Sequence, residues 1–359
     1  MTKMIRDGVQ KLIDGTNLTC EESRGVMKEI MSGQATSAQT AAFLTALRMK
    51  GETVEEIQAF AEIMRGCSNQ IHPRVKGRLV DTCGTGGDKI KTFNISTTAA
   101  FVVAGAGVAI AKHGNRSVTS QSGSADVLES LGLNLDMSPE TVQNTIEQVG
   151  VGFMFAPAFH PAMKHAIGPR REIGIRTIFN VLGPLTNPAC ANAQVLGAYD
   201  RNLTSPIAQA LKRLGCEEAM VVHGSDGLDE ISTVGKTAIA WLKEGKVKTL
   251  ETVPEDFGVK QTEIEQIKGT TPNQSAEILF KILNGHCAAN DPKKEIVLVN
   301  SAAGIIVGGK AEDFSYGMEL SRRSIESGAA YKKLIGLIKA SAGNLSKLEE
   351  LESRYDRLS

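Results

Sequence analysis

The sequence predicts an α/β protein in two parts: a small N-terminal helical domain over residues 1–72 and a large α/β domain over residues 78–359 with a mainly parallel central sheet. Three observations carry this expectation. Apolar residues recur at helical spacing up to about residue 70. From about residue 78, short apolar runs of strand length alternate with helical stretches, the texture of a sheet covered by helices. Each glycine-rich segment directly follows one of those runs, and in such sheets ligands sit beyond the strand carboxyl ends. The chain's 359 residues suit about two domains at roughly 150 residues each. That length buries a large core without disulfides or structural metals.

The helical part opens with two capping boxes, Thr19-x-x-Glu22 and Thr53-x-x-Glu56, each leading an amphipathic run. After Thr53, Ile57, Phe60, Ala61 and Met64 share one helical face. Phe43, Leu44 and Leu47 form a similar stripe in the preceding helix, which Gly51 ends. Short connections make these helices antiparallel neighbours. Strand-length runs follow at Leu79–Asp81, Val108–Ala111, Gly152–Phe155 and Ala219–Val222, with helical stretches at Thr97–Ala106, Pro139–Val149 and Pro206–Leu214. Residues 156–190 carry Pro157, Pro161, Pro169, Pro184 and Pro188, a proline-punctuated crossing read as a hinge. Part of its 160–190 stretch is expected to pack on the helical domain. A hairpin is expected over Ala238–Leu242 and Val247–Val253, turning at Glu244-Gly245.

Composition narrows the function. Lys+Arg and Asp+Glu number 40 each, so the formal net charge is zero, and aromatics make up 4% of the chain. Neither suits a nucleic-acid binder, which needs a basic surface or stacking platforms. The longest apolar stretch, Ala99–Ala111, has 13 residues, too short to span a bilayer, so no membrane association is expected. No secretory signal is visible, and the six cysteines show no pairing logic. They read as reduced thiols of a cytoplasmic protein.

Four segments carry chemistry. In Leu79-Val-Asp-Thr-Cys-Gly-Thr-Gly-Gly-Asp88, a strand runs into three glycines within four positions, then into Thr92, Asn94, Ser96 and Thr97 ahead of an apolar helix. Glycine backbone N–H groups and a helix N-terminus form an anion cradle, although the glycine motif alone reads equally as a tight turn. Ser96 and Thr97 can donate hydroxyls to phosphate, or Ser96 can offer an oxygen to Mg²⁺. The second segment, Lys112-His-Gly-Asn-Arg-Ser-Val-Thr-Ser-Gln-Ser-Gly-Ser-Ala-Asp126, directly follows a strand and is dense in donors. Lys112 and Arg116 would supply charge there, while Asn115, Ser117 and Thr119 would supply directed hydrogen bonds, which suits a ligand with several phosphates; the alternative is a solvated polar loop.

The third segment, Val221-Val-His-Gly-Ser-Asp-Gly-Leu-Asp229-Glu230, puts adjacent carboxylates after a strand, good hard-cation ligands but a common surface pair. His223 reads as a structural residue. His160 and His165, five apart, do not form a metal pair on one helical face. The fourth segment brings Arg170, Arg171 and Arg176 into the hinge, where Arg suits bidentate carboxylate binding but is also common in surface ion pairs. Dinucleotide and P-loop fingerprints fail. Gly84-x-Gly86-x-x-Lys89 lacks the third glycine, and Gly304-x-x-x-x-Gly309-Lys310-Ala311 ends without the magnesium-binding hydroxyl.

Taken together, Gly84-Thr-Gly-Gly-Asp88, Asn94-Ile-Ser-Thr97, Lys112-His-Gly-Asn-Arg116, Ser122-Gly-Ser-Ala-Asp126, Arg170, Asn180-Val-Leu-Gly-Pro-Leu-Thr-Asn-Pro188 and Asp229-Glu230 resemble the anthranilate phosphoribosyltransferases, in order and over nearly the whole chain. The resemblance implies the nucleoside phosphorylase/phosphoribosyltransferase type of fold. It also implies a homodimer through the helical domain, and transfer of phosphoribose from 5-phosphoribosyl 1-diphosphate to the amine of anthranilate in tryptophan biosynthesis. By motif, Gly84, Gly87, Asp88, Thr92, Asn94, Ile95, Ser96, Thr97, Lys112, His113, Gly114, Asn115, Arg116, Ser117, Val118, Thr119, Ser120 and Ser124 would hold the phosphoribosyl diphosphate. Lys112, His113 and Asn115 would be catalytic. Gly84, Asn115 and Arg170 would bind anthranilate, with His113 near its ring. Ser96 and Glu230 would ligate one Mg²⁺, and Asp229 with Glu230 a second. Thr119 and Gln121 depart from the family's usual Ser and Lys. A pyrimidine nucleoside phosphorylase, similar in architecture, is the nearest alternative and would not need the Asp229-Glu230 metal site.

Overall fold

The computed structural model describes residues 3–86, 90–117, 122–269 and 271–356. Four helices open the chain: α1 (Lys3–Ile13), α2 (Cys20–Met31), α3 (Ser37–Lys50) and α4 (Val54–Gly66). The Thr19/Glu22 and Thr53/Glu56 capping boxes form as expected, and Thr36 with Gln39 makes a third at the start of α3. The α/β part begins with β1 (Leu79–Gly84), α5 (Ile95–Gly105), β2 (Ala109–Gly114), α6 (Ser124–Ser130), α7 (Pro139–Val149) and β3 (Val151–Phe155). The proline-rich crossing is helical, as α8 (Ala156–Phe159), α9 (Lys164–Ile173) and α10 (Ile178–Leu185). Then come β4 (Ala193–Gly197), α11 (Thr204–Arg213) and β5 (Glu218–Gly224). The hairpin β6 (Thr237–Lys243) and β7 (Lys246–Thr252) follows. The chain closes with α12 (Ile264–Ile267), α13 (Pro272–Leu283), α14 (Pro292–Val307), α15 (Phe314–Glu326), α16 (Ala329–Ala340) and α17 (Ser346–Asp356).

The strands form one seven-stranded sheet in the order β3-β2-β1-β4-β5-β6-β7. Pairing is parallel from β3 through β5 and antiparallel in β5-β6 and β6-β7. The hairpin turns at Glu244 (φ 50°) and Gly245 (φ 69°), two left-handed residues that match the twist of the flanking strands. After β3 the chain returns to the other side of β1, so β1 and β4 flank the topological switch point, where open α/β sheets bind ligands.

One sheet face packs against α5, α14 and α16. From Ile296 to Val307 every residue of α14 is buried, which makes it the central helix of that core. The opposite face shares its core with the N-terminal helices. Leu196, Val221 and Ala240 of the sheet, Leu211 of α11, Ala166 of α9 and Phe179 and Leu182 of α10 join Phe43, Leu47 and Phe60 of α3 and α4 in one apolar cluster. Arg65 of α4 fixes the junction, donating from Nε to the Leu185 carbonyl at 2.8 Å and from Nη1 to the Leu214 carbonyl at 3.3 Å. Among the described residues, no helix is long and apolar enough to cross a membrane.

Candidate active site

The strand carboxyl ends converge at the switch point. Gly84 of β1 and Gly197 of β4 are register partners, and the Asp229 segment lies directly across both. A Cβ at Gly84 would come within 2.4 Å of Asp229 Oδ2, and one at Gly197 within 1.6 Å of the Asp229 carbonyl oxygen, so only glycine permits the approach. Gly86 N–H donates to Asp229 Oδ2 at 3.1 Å, and Ser96 N–H, in the first turn of α5, donates to Glu230 Oε1 at 3.1 Å. Enclosure pushes the Asp229 carboxyl up, with the Gly86 N–H opposing. Glycine-rich loop, acidic pair and helix N-terminus thus meet in one place.

The second segment divides between strand and loop. Lys112 lies within β2, 4% exposed, and donates its ammonium to the Thr82 carbonyl at 2.5 Å. This corrects the expectation of a loop lysine: its charge sits beneath the β1 loop. Its burial pulls the ammonium pKa down, and the neighbouring Asp81 opposes that. Asp81, fully buried, accepts from His113 N–H at 3.2 Å and from Asn187 Nδ2 at 2.8 Å, and Asn187 also donates to the Ala111 carbonyl at 2.8 Å. One carboxylate therefore ties β1, β2 and the 180–188 segment together. The His113 and His160 rings lie 5.0 Å apart, and His113 Nε2 and both ring nitrogens of His160 are enclosed. Burial lowers the His113 pKa to about 3 and that of His160 to about 4.

Arg116 is held within the protein as well. Its guanidinium contacts Asp126 at 3.0 Å, grips both Glu129 oxygens at 2.6 and 2.9 Å, and lies over the Phe155 ring. Two carboxylates thus share its charge, and it staples the loop to α6. Asp126 also collects the Ser117 and Gly123 N–H groups at 3.0 Å each. Asn115 accepts Arg116 N–H on its side chain, and its carbonyl takes Ala125 N–H and the Ser124 hydroxyl. Asn94 does not cap α5; it bonds Ser122 and so joins the two loops. Thr97 is 1% exposed with its hydroxyl enclosed, and Ile95 is equally buried, so neither side chain faces the loop. Half-buried Thr92 pairs with Lys268 in an isolated bridge, and Gly114 ends β2. Gly87, Asp88, Val118, Thr119, Ser120 and Gln121 lie outside the described residues.

Of the hinge arginines, Arg171 is exposed and Arg176 stacks over the Tyr199 ring at 4.5 Å. Arg170 is partly buried over the Phe179 ring at 5.1 Å, and burial lowers its guanidinium pKa. Sequence reasoning gave Asp81 and Asn187 no role and weighed His160 only as a metal ligand. Only Asn187 had a signal, inside the 180–188 motif.

Residues 76–331 match the family model described as the glycosyl transferase family a/b domain, and residues 6–68 match the glycosyl transferase family helical bundle domain. The chain is 50% identical over 346 residues to an anthranilate phosphoribosyltransferase of Pelotomaculum thermopropionicum, covering 96% of this chain and 98% of the relative. The chain belongs to the anthranilate phosphoribosyltransferase family. A family relative from Petrotoga mobilis is 49% identical over 326 residues, 91% of this chain and 94% of the relative. Among solved structures, the anthranilate phosphoribosyltransferase of Thermus thermophilus superposes with a TM-score of 0.88 at 39% identity, covering 94% of this chain and 99% of that one. That of Saccharomyces cerevisiae, in complex with PRPP and Mg, gives 0.86 at 29% identity over 94% and 98% of the two chains.

Proposed function

We propose that the chain transfers the 5-phosphoribosyl group from 5-phosphoribosyl 1-diphosphate to the amine of anthranilate, releasing diphosphate, as a step of tryptophan biosynthesis. The observation that carries the reading is the meeting of Gly84–Gly86, the α5 N-terminus and Asp229-Glu230 at the β1/β4 switch point. Breaking the bond between ribose C1 and diphosphate builds oxocarbenium character on the sugar and negative charge on the leaving group. In this reading the backbone donors of the β1 loop and the α5 N-terminus receive that charge, with Lys112 raising the potential from beneath. His113 and Asn115, at the end of β2 and just beyond it, flank the reacting centre. Both buried imidazoles are neutral at pH 7, so they offer anthranilate a polar but uncharged wall. The arylamine is itself neutral and needs no strong base. Arg170, over the Phe179 ring, is assigned to the anthranilate carboxylate.

The donor set fits Mg²⁺. Asp229 and Glu230 offer hard carboxylate oxygens, Ser96 a hydroxyl, and the enclosed Asp229 carboxylate gains from a nearby cation. No group of three or more His, Cys, Asp or Glu able to hold a metal stands among the described residues, so substrate oxygens and water would complete the shell. We assign one ion to Ser96 and Glu230 and a second to Asp229 with Glu230. When bound, magnesium supplies Lewis-acid stabilisation of the diphosphate charge. The reading extends to a cytoplasmic homodimer formed through the helical domain. All six cysteines are free thiols, and Ile13 and Met49 expose 66% and 84% of their surface on α1 and α3.

The test is direct. Anthranilate fluorescence should fall when the chain is mixed with phosphoribosyl diphosphate and Mg²⁺, and the fall should stop with EDTA. Fluorescence that stays constant with all components present would set the reading aside.

A further inference from the structure

Behind the acidic pair lies a side chain the mechanism does not use. Asn300, in the buried middle of α14, is 2% exposed. Its Oδ1 accepts Ile231 N–H at 2.9 Å, and its Nδ2 donates to the Ile231 carbonyl and the Ile296 carbonyl, each at 2.9 Å. The carboxamide thus brackets Ile231 as a neighbouring strand would, one residue beyond Glu230. Ile231 is itself 0% exposed, so water cannot replace those bonds.

The rest of the loop is pinned on its other side. Asp226 accepts Leu228 N–H at 3.0 Å and the Ser232 hydroxyl, Gly224 N–H donates to the Leu228 carbonyl at 2.9 Å, and Ser232 N–H donates to Thr237 Oγ1 at 2.9 Å. Asp229 and Glu230 stand between these anchors, facing Gly86 N–H and Ser96 N–H. Without Asn300, the Ile231 peptide must shift to find partners, and Glu230 shifts with it.

We propose that Asn300 is a positioning residue that fixes the Asp229-Glu230 carboxylates and thereby sets the site's affinity for a divalent cation together with a diphosphate substrate. The proposal rests on the reading of Asp229 and Glu230 as metal-holding residues. Its logic is that of an outer partner that orients a ligand without touching the ion.

The experiment compares the full chain with Asn300→Leu, similar in size but without hydrogen bonds, and Asn300→Ser, smaller and still polar. Ser301→Ala is the control: Ser301 is buried on the same helix, and its hydroxyl donates to the Val297 carbonyl of that helix at 2.7 Å. Binding of Mg²⁺ with phosphoribosyl diphosphate is measured by calorimetry without anthranilate, and KM for anthranilate separately. Both Asn300 variants should bind Mg²⁺ and phosphoribosyl diphosphate roughly 10- to 100-fold more weakly, with anthranilate KM changed less than about twofold and Ser301→Ala like the parent. Parent-like binding by a folded Asn300 variant, or an equal loss in Ser301→Ala, overturns the proposal. A parent chain that binds neither Mg²⁺ nor phosphoribosyl diphosphate removes the reading of the site, and this inference with it.

Discussion

His113 and His160 show how far burial can change a residue's behaviour. Both rings stay neutral down to about pH 4 in the folded chain, whereas an unfolded histidine takes up its proton near pH 6.5. Folded pKa values below the unfolded one mean that stability is full above about pH 6.5 and falls as pH drops towards 4. The slope is up to about 1.4 kcal/mol per pH unit for each ring. Urea unfolding between pH 7.5 and 4.5 should show a falling midpoint in the parent and a shallower fall in His160→Asn. Equal slopes would refute this account. Arg170 yields a second expectation at this scale. Arg170→Ala should raise the anthranilate KM by the equivalent of about 1–3 kcal/mol, the value of a charge-assisted hydrogen bond. An unchanged KM removes Arg170 from the site. The sequence made Arg170 and the acidic pair visible because their residue types carry the chemistry. Asp81 and Asn300 stayed hidden because their roles depend on burial and on partners more than 65 residues away, Asn187 and Ile231. Arg116 reads as a phosphate ligand because it is a cation in a donor-rich loop; its pairing with Asp126 and Glu129 had no signal in the sequence.

Among the elements, the β1 and β4 ends have the least tolerance. Gly197→Ala places a methyl group against the Asp229 backbone, which cannot rotate away as a flexible side chain can. We expect kcat/KM to fall by at least about a hundredfold, since displacing a reacting group by about 1 Å costs that much. Circular dichroism should remain near the parent's. Near-parent activity would show that the acidic loop yields after all. Most elements were legible from local signals: the Thr19 and Thr53 boxes, the stripe from Ile57 to Met64, and Glu244-Gly245 at the hairpin. The proline crossing, read as a hinge, is helical: Pro161 sits in the first turn of a short 3₁₀ segment, where its missing N–H is tolerated, and Pro169 and Pro184 lie within α9 and α10 in spite of theirs. The helices after residue 260 were not read from pattern. In α14 burial runs all round the helix, leaving no one-sided stripe to recognise.

At the scale of the whole molecule, the helical domain and one sheet face share a single core, so a boundary drawn from sequence texture does not separate their stability. Unfolding followed by the fluorescence of the single tryptophan, Trp241 on β6, should coincide with loss of helical ellipticity. Arg65→Met removes two half-buried donors at the junction. It should cost roughly 1–3 kcal/mol of stability and lower both midpoints together. Separated transitions would mean that the two parts fold independently. The hairpin has a consequence of a different kind. β6 starts beside Gly224 at the carboxyl end of β5 and runs back, so Glu244 and Gly245 lie exposed at the opposite end of the sheet. A dye or a surface tether attached at that turn would leave the β1/β4 switch point unobstructed, and an immobilised molecule would present the strand carboxyl ends outward.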